Sequence, residues 1–334
     1  MATEYLTLSD YQQKNPDALL YNGIVQCFRE ESAFLDNVRL MTVGRMKVEN
    51  LRAGSMSQIK NRKIGESRPT VLHQKPDKVE DSLYIYSNEI LVPKELVDYK
   101  DSKNPYNPLE WNIEASTKSM ARQICDDIIN NTPTANPDAP VGLKYRIDND
   151  LSADQKIPAS GSSGTALDLD PAGQSYAANI RQFKQIMDEA KAQCAGTPTL
   201  CLCNQDFIIA QSRIWADSNY LKVTEDSLHR TFEDWTGMKY IDMGYRYNDV
   251  DKIINSHEQA DGSDGTAGTH YCTSIYMVTM GEEFWSMVQA EPMKVYDTHL
   301  DNKNINYETQ IDWILGQIIT HPRSVVRVYG LKMK

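Results

Sequence analysis

The stretch RLMTVGRMKVENLRAGSMSQIKNRKIGESR, residues 39–68, decides how the chain is read. It carries Arg39, Arg45, Lys47, Arg52, Lys60, Arg62, Lys63 and Arg68 against only Glu49 and Glu66, a net charge of +6. The 334-residue chain as a whole is −11, so everything outside this stretch is −17. Gly44, Gly54 and Gly65 interrupt short apolar alternations such as Met46 and Val48, and no apolar stripe of helical length runs through it. The pattern predicts a long two-stranded hairpin or extended arm with no core of its own, which is marginal alone and must lean on something else. A basic segment on an acidic body has two physical uses. It can bind nucleic acid, or it can lie across the acidic surface of another copy of the same chain.

Working outward from the arm, Asn15-Pro16-Asp17 reads as a helix start, with Leu20, Ile24 and Cys27-Phe28 at helical spacing until about Asp36-Asn37. After the arm, Leu83 to Tyr86 and Ile90 to Val92 read as strand. A long helix is predicted from Trp111 to Asn131, with Met120, Ile124 and Ile128 on one face. Residues 148–173 read as a polar loop. Tyr176 to Cys194 is the clearest amphipathic helix, followed by a strand over 199–203 and a helix over 205–216 capped by Asn204. A further helix is expected from Thr224 or Asp226 to Gly237, then a strand over 239–242. The stretch from Asp261 to Gly268 reads as a flexible loop, Ser274 to Thr279 as a buried strand and 281–289 as a short helix. Two strands close the chain, the alternating 311–319 and then 325–331. This mixture is an α+β fold, and no internal repeat is visible.

Composition sets wider bounds. With 40% hydrophobic and 24% charged residues the chain can build a packed core. Eighteen Tyr against six Phe suits surfaces that become buried only on association, because Tyr joins apolar area to a polar tip. No apolar run approaches the roughly 20 residues that span a bilayer, and MATEYLTLSD lacks the pattern of a secretory signal. A reducing cytoplasm and free thiols at Cys27, Cys125, Cys194, Cys201, Cys203 and Cys272 are therefore expected, with no membrane partner.

Catalytic templates fare poorly. Cys201 and Cys203 point to one face of a strand, but no His stands at ligand spacing and paired C-x2-C motifs are absent. His270 beside Cys272 lacks a third group. The Gly-rich run 262–268 lacks the Lys-Ser/Thr of a phosphate loop, and Asp261 and Asp264 lack the twelve-residue calcium pattern. No catalytic residue, cofactor or metal is expected, and the chain is read as not an enzyme.

Four segments carry a family resemblance. They are the helix from Ala177 leading into GTPTLCLCNQDFIIAQSRIWAD (196–217), DWTGM (234–238), TSIYMVTMG (273–281) and HPRSVVRV (321–328). With the basic arm and long helix before them, this ordered set resembles the HK97-type major capsid proteins of tailed double-stranded DNA bacteriophages over nearly the whole chain. The resemblance implies an N-terminal arm at 1–44 and an E-loop hairpin at 45–95. It implies a P-domain with its spine helix at 96–173, an A-domain at 174–300, and C-terminal strands at 301–334 returning to the P-domain. It implies self-assembly as hexamers and pentamers into an icosahedral head that is built in the host cytoplasm and encloses packaged DNA without sequence-specific binding. Portal protein is an implied partner, and a cement protein is left open.

With the E-loop starting near residue 45 there is no room for a cleaved scaffolding extension, so a separate scaffolding protein is implied. Arg45, Lys47, Arg52, Lys60, Arg62, Lys63 and Arg68 are expected to touch a neighbouring subunit, by non-covalent contact. Asp261, Gly262, Asp264 and Gly265 are expected in a flexible loop at the capsomer axis. The alternatives are an encapsulin-type shell of the same fold, or a nucleic-acid-binding protein using residues 39–68.

Overall fold

The computed structural model describes residues 5–14, 18–52, 61–67, 77–98, 107–171, 173, 175–216, 222–225, 228, 230–235, 237–301, 303 and 305–333. Strand β1 (Tyr5–Leu6) leads into helices α1 (Leu8–Lys14), α2 (Leu19–Glu31) and α3 (Ala33–Asn37), then strand β2 (Leu40–Thr42). The helix start expected at Asn15-Pro16-Asp17 lies outside the described residues. Ser32 separates α2 from α3; its backbone is extended and its hydroxyl accepts the Leu35 N–H at 3.2 Å. The described part of this segment, expected as an N-terminal arm over 1–44, packs on the body. Phe28 and Phe34 are fully buried, Phe28 lies edge-on to Trp313 with centroids 5.6 Å apart, and β2 joins a sheet. Each aromatic buries enough apolar area to hold the segment on the body.

Strands β3 (Lys47–Arg52) and β4 (Asp77–Ser82) form the expected hairpin, paired antiparallel from Lys47↔Ser82 to Arg52↔Asp77. Next come β5 (Tyr84–Pro93) and α4 (Lys94–Asp98). The long helix is α5 (Pro108–Asn130), with Asn107 accepting the Leu109 N–H at 3.3 Å and Pro108 in the first turn. It stops at Asn131, whose side-chain amide donates into a ring of three carbonyls, from Asn136, Ala139 and Pro140. Gly142 then passes so close that a Cβ would lie 2.7 Å from the Asn131 nitrogen, an approach only glycine permits.

Helix α6 (Leu143–Asn149) comes next, and the stretch 148–173, read as a polar loop, supplies β6 (Lys156–Pro158) and β7 (Leu167–Asp168). The series α7 (Tyr176–Gln193), β8 (Leu200–Cys203) and α8 (Gln205–Ala216) follows the sequence reading. Asn204 caps α8 by accepting the Phe207 N–H at 3.0 Å, while its amide donates to Thr273 Oγ1 at 2.8 Å.

The helix expected over 224–237 is replaced by strands β9 (Lys222–Glu225) and β10 (Thr231–Trp235), with β11 (Met238–Asp242) after them. Val223, Thr224, Thr231, Phe232 and Trp235 are β-branched or aromatic and suit a pleated surface, and β10 gains ladders on both sides. Strand β12 (Cys272–Val278) precedes β13 (Trp285–Gln289), where a short helix was expected. All five residues of β13 are buried, so no periodicity separates helix from strand; pairing with β2 and with β15 decides. Strands β14 (Lys294–Leu300), β15 (Asn306–Ile319) and β16 (Val325–Lys332) complete the set.

Two sheets organise these strands. The first runs β1-β2-β13-β15-β14, with β5 on β15 as well. The second runs β6-β16-β12-β8-β11-β10-β9, with β7 also on β16. Sheet membership therefore departs from the boundaries expected at 173/174 and 300/301. Strands β13 and β14 fall within 174–300 yet join the first sheet, and β16 falls within 301–334 yet joins the second. The second sheet is covered on both faces. Cys201, Cys203, Tyr240 and Ile275 pack with Phe183 of α7 and Phe207 of α8, whereas Leu200, Leu202, Ile241 and Tyr276 join the core shared with α5 and Trp313. This is the period-2 alternation of strands.

Buried amides join the first sheet to its helices. Gln317 accepts from Trp285 Nε1 at 3.0 Å and donates to the carbonyls of Ile128 (3.0 Å) and Val141 (2.6 Å). Gln289 accepts from Trp313 Nε1 at 3.0 Å and donates to Tyr11 Oη at 2.6 Å. Gln317→Leu strands a buried donor and two buried acceptors, each worth about 1–3 kcal/mol. A fall of several degrees in thermal midpoint is expected, and an unchanged midpoint would contradict this role.

Candidate functional site: assembly surfaces

The hairpin arm divides into an anchored base and a presented tip. At the base, Val48 is buried with Met41, Leu83, Val288 and Ile318. Asn50 donates to Thr320 Oγ1 at 2.8 Å, and Arg146 of α6 forks onto Asp81 of β4 at 2.5 and 3.1 Å. The arm, expected to have no core of its own and to lean on something else, leans through Val48 on the body. The returning strand also brings acid: Asp77, Glu80 and Asp81 lie on β4, and Lys78 pairs with Glu49 at 2.9 Å and with Glu80.

Positive charge is left at Arg45 and Lys47, both exposed, and at the tip. There Glu66 accepts the Lys63 N–H at 2.9 Å through its carboxylate and Arg62 Nη1 at 2.7 Å through its carbonyl. Gly65, at φ +94°, turns the chain. This preformed turn holds Arg62 and Lys63 outward with Ile64 fully exposed between them and Gly65. Arg52 is placed by its backbone in β3, and Lys60 and Arg68 lie outside the described residues.

The loop at 261–268 is more constrained than its Gly-rich sequence suggests. Arg327 of β16 is fully buried. It bonds Glu258 at 3.1 Å, Ser274 Oγ at 3.1 Å and the Gly262 carbonyl at 2.5 Å, and lies 3.5 Å from Asp148. Its guanidinium also lies over the rings of Tyr276 and Tyr329. Glu258 in turn accepts from the Ser274 hydroxyl. Lys144 of α6 holds Asp264 at 2.6 Å and approaches Glu258 at 3.7 Å. Ser263 donates to Asp261 through both its N–H and its hydroxyl, which keeps that carboxyl below its ordinary range.

At Gly262 and Gly265 a Cβ would meet Tyr329 at 2.9 Å and the His257 carbonyl at 2.3 Å. The expected flexible loop is therefore pinned along 258–265; residues 266–269 form its exposed outer part. Sequence reasoning missed Arg327, Glu258, Lys144 and Arg146. The signal for Arg327 was present as one charge inside the apolar run Val325-Val326-Arg327-Val328.

Of the groups weighed for chemistry, His270 accepts the Thr266 N–H on Nδ1 at 3.1 Å. All six cysteines are free thiols, and burial pushes Cys125 and Cys194 up to about 12 and Cys201 well above its ordinary value. Among the described residues no group of three or more His, Cys, Asp or Glu could hold a metal, and no helix is long and apolar enough to cross a membrane.

No protein-family model matches the chain, and no curated protein matches it in sequence. Solved structures do match. The encapsulin of Synechococcus elongatus PCC 7942 aligns at a TM-score of 0.53 and 12% identity, covering 88% of this chain and 85% of its own. Mycobacterium phage Bobi aligns at 0.53 and 10%, covering 89% of each chain. The capsid of Myoviridae phage XM1 aligns at 0.52 and 9%, covering 86% of each. The chain has the HK97-type fold. At these identities the likeness lies in the HK97-type arrangement of strands and helices, and it extends over most of the chain.

The Arg327 cluster can be tested directly. Arg327→Met removes the main partner of the buried Glu258 and leaves only the longer Lys144 contact, an expected loss of about 3–5 kcal/mol at neutral pH. Burial is the largest influence on Glu258 and raises its carboxyl above the ordinary value, with Arg327 and Lys144 pulling the other way. A raised folded pKa contributes stability that is present below the unfolded value of 4.5 and is lost as pH rises through the folded value. Wild-type protein should therefore lose stability relative to Glu258→Gln as pH climbs above 4.5. Parallel pH–stability curves for the two would contradict this.

Proposed function

We propose that this chain is the major capsid protein of a tailed double-stranded DNA bacteriophage, a structural subunit and not an enzyme. It assembles as hexamers and pentamers into an icosahedral head in the host cytoplasm. The observation that carries this reading is the HK97-type fold, shared over most of the chain with phage capsids. In the vocabulary of that fold, β3–β4 is the E-loop and α5 the spine helix. The first sheet is the P-domain, and the second sheet with α7 and α8 is the A-domain.

The E-loop reaches a neighbouring subunit. Arg45, Lys47, Arg52, Lys60, Arg62, Lys63 and Arg68 supply charge, and the exposed tip of Arg62, Lys63 and Ile64 leads the contact. Exposed ion pairs contribute only roughly 0–1 kcal/mol each, so the charges steer, while burying Ile64 adds about 1.5–3 kcal/mol. Closed rings need head-to-tail contacts. The loop bearing Asp261, Gly262, Asp264 and Gly265 faces the capsomer axis, with its pinned base fixing position and residues 266–269 adapting between five and six copies. A separate scaffolding protein and a portal protein complete the assembly. The acidic remainder of the chain lets packaged DNA slide without sequence-specific contact.

Arg62→Glu with Lys63→Glu, and separately Ile64→Asp, should leave the subunit folded by circular dichroism. Both should cut particle yield at least tenfold in negative-stain microscopy, and normal yield would refute the E-loop role. An encapsulin shares this fold and marks the second reading. Shells forming from the chain alone, without co-expressed neighbouring genes, would favour a cargo shell over a phage head.

A further inference from the structure

Four cavities between the packed elements differ in charge. At the α5–α6 junction, Lys144, Arg246 and Lys252 share a cavity with Asp148, Asp251 and Asp264. Beside Tyr271, Lys252 stands with Asp206 and Asp251. Near Tyr247 no lining residue is charged. The fourth, about 330 Å³, opens at the seam where α3 and β2 meet β8, β11 and the turn before β13, and its charged lining residues are Arg39 and Lys239.

We propose that this seam cavity binds a small phosphate-class oxyanion. Arg39 is exposed and forms no hydrogen bond or ion pair with a described residue. Its planar fork can direct two parallel N–H groups at two oxygens of one phosphate. Lys239 is the secondary cation. Its Nζ already donates to Asn37 Oδ1 at 3.2 Å, and Asp234 is its cross-strand neighbour. Asn37 spends one amide hydrogen on the Ala33 carbonyl and keeps another.

The hydroxyls of Thr199 and Ser286 donate to the carbonyls of Val278 and Gly281, so they line the cavity without donating to an anion. Of the nearby acids, Asp36 is engaged elsewhere, holding Arg29 at 2.6 Å and Arg230 at 2.5 Å. Asp10 accepts from Thr7 and also attracts Arg39 through space without an ion-pair contact, so a bound anion competes with that carboxylate for the guanidinium. The volume equals that of roughly ten waters, room for a phosphate group with hydration and too little for duplex DNA. The phosphate is either free or carried by a nucleic acid whose backbone reaches the rim. An ion bound here bridges the two sheets and stabilises the folded subunit by mass action.

The test is calorimetric titration of full-length protein with sodium phosphate at constant ionic strength. One saturable site per chain is expected, weakened at least tenfold by Arg39→Ala, partly recovered by Arg39→Lys and weakened by Lys239→Met. Arg39 is exposed, so its variants should fold, as circular dichroism would establish. A phosphate-dependent rise in thermal midpoint that Arg39→Ala abolishes separates binding from the general stabilising effect of phosphate salts. A short DNA duplex that displaces phosphate identifies a nucleic-acid source, and a duplex that does not identifies the free ion; each supports the site. No saturable binding, or unchanged binding in folded Arg39→Ala, overturns it.

Discussion

A single buried guanidinium governs how the parts of this molecule are joined. Taking Arg327 out of water is expensive, with an effective penalty of several kcal/mol per ion even after relaxation. The structure offsets that by surrounding it with Glu258, Ser274, the Gly262 carbonyl and two tyrosine faces. Those partners come from different elements, so the charge stays compensated only while β16, β12 and the 258–265 loop keep their places. The short helix α6 extends this dependence. Lys144 and Asp148 face the Arg327 cluster, while Arg146, between them in sequence, grips Asp81 at the root of the hairpin. Seven residues of helix thus connect the second sheet to the arm, and Gly142 sets where that helix leaves the end of α5.

Charge has opposite uses in the two places. At the Arg327 cluster opposite charges are desolvated and fully partnered, which fixes geometry. At the tip of the hairpin, Arg62 and Lys63 remain in water, held by a local turn whose acid, Glu66, is spent on the backbone N–H of Lys63 and whose carbonyl takes Arg62. The antiparallel partner strand neutralises part of the basic stretch, so the +6 of residues 39–68 overstates the field of the hairpin as a whole.

Much of the fold was legible in sequence, for identifiable reasons. Helices α5 and α7 carry long apolar stripes, and Asn204 marks a strand-to-helix junction by its side-chain chemistry. The hairpin was legible from its glycines and charge. What stayed hidden depended on partners distant in sequence. Strand β13 is a short, wholly buried run that only β2 and β15 distinguish from a helix. Strand β10 sits in a stretch with helix-capping residues and is fixed by β9 and β11. Of the candidate surface residues, the exposed arm positions followed from local composition. The pinning of the 258–265 loop did not, because Lys144 and Arg327 lie more than 60 residues from Asp264 on either side.

The pairing of β5 with β15 has a consequence for biogenesis. Ten residues of β5 are matched to a strand that begins at Asn306, more than two hundred residues later. Ladders of such long sequence separation form slowly, since chain closure must precede any gain from the contact. A ribosome-bound chain would hold β5 unpaired, and the second sheet without its β16 neighbour, until synthesis passes residue 332. Both sheets can therefore close only after their last strands, β15 and β16, have been made, and the strands synthesised before them wait for those partners.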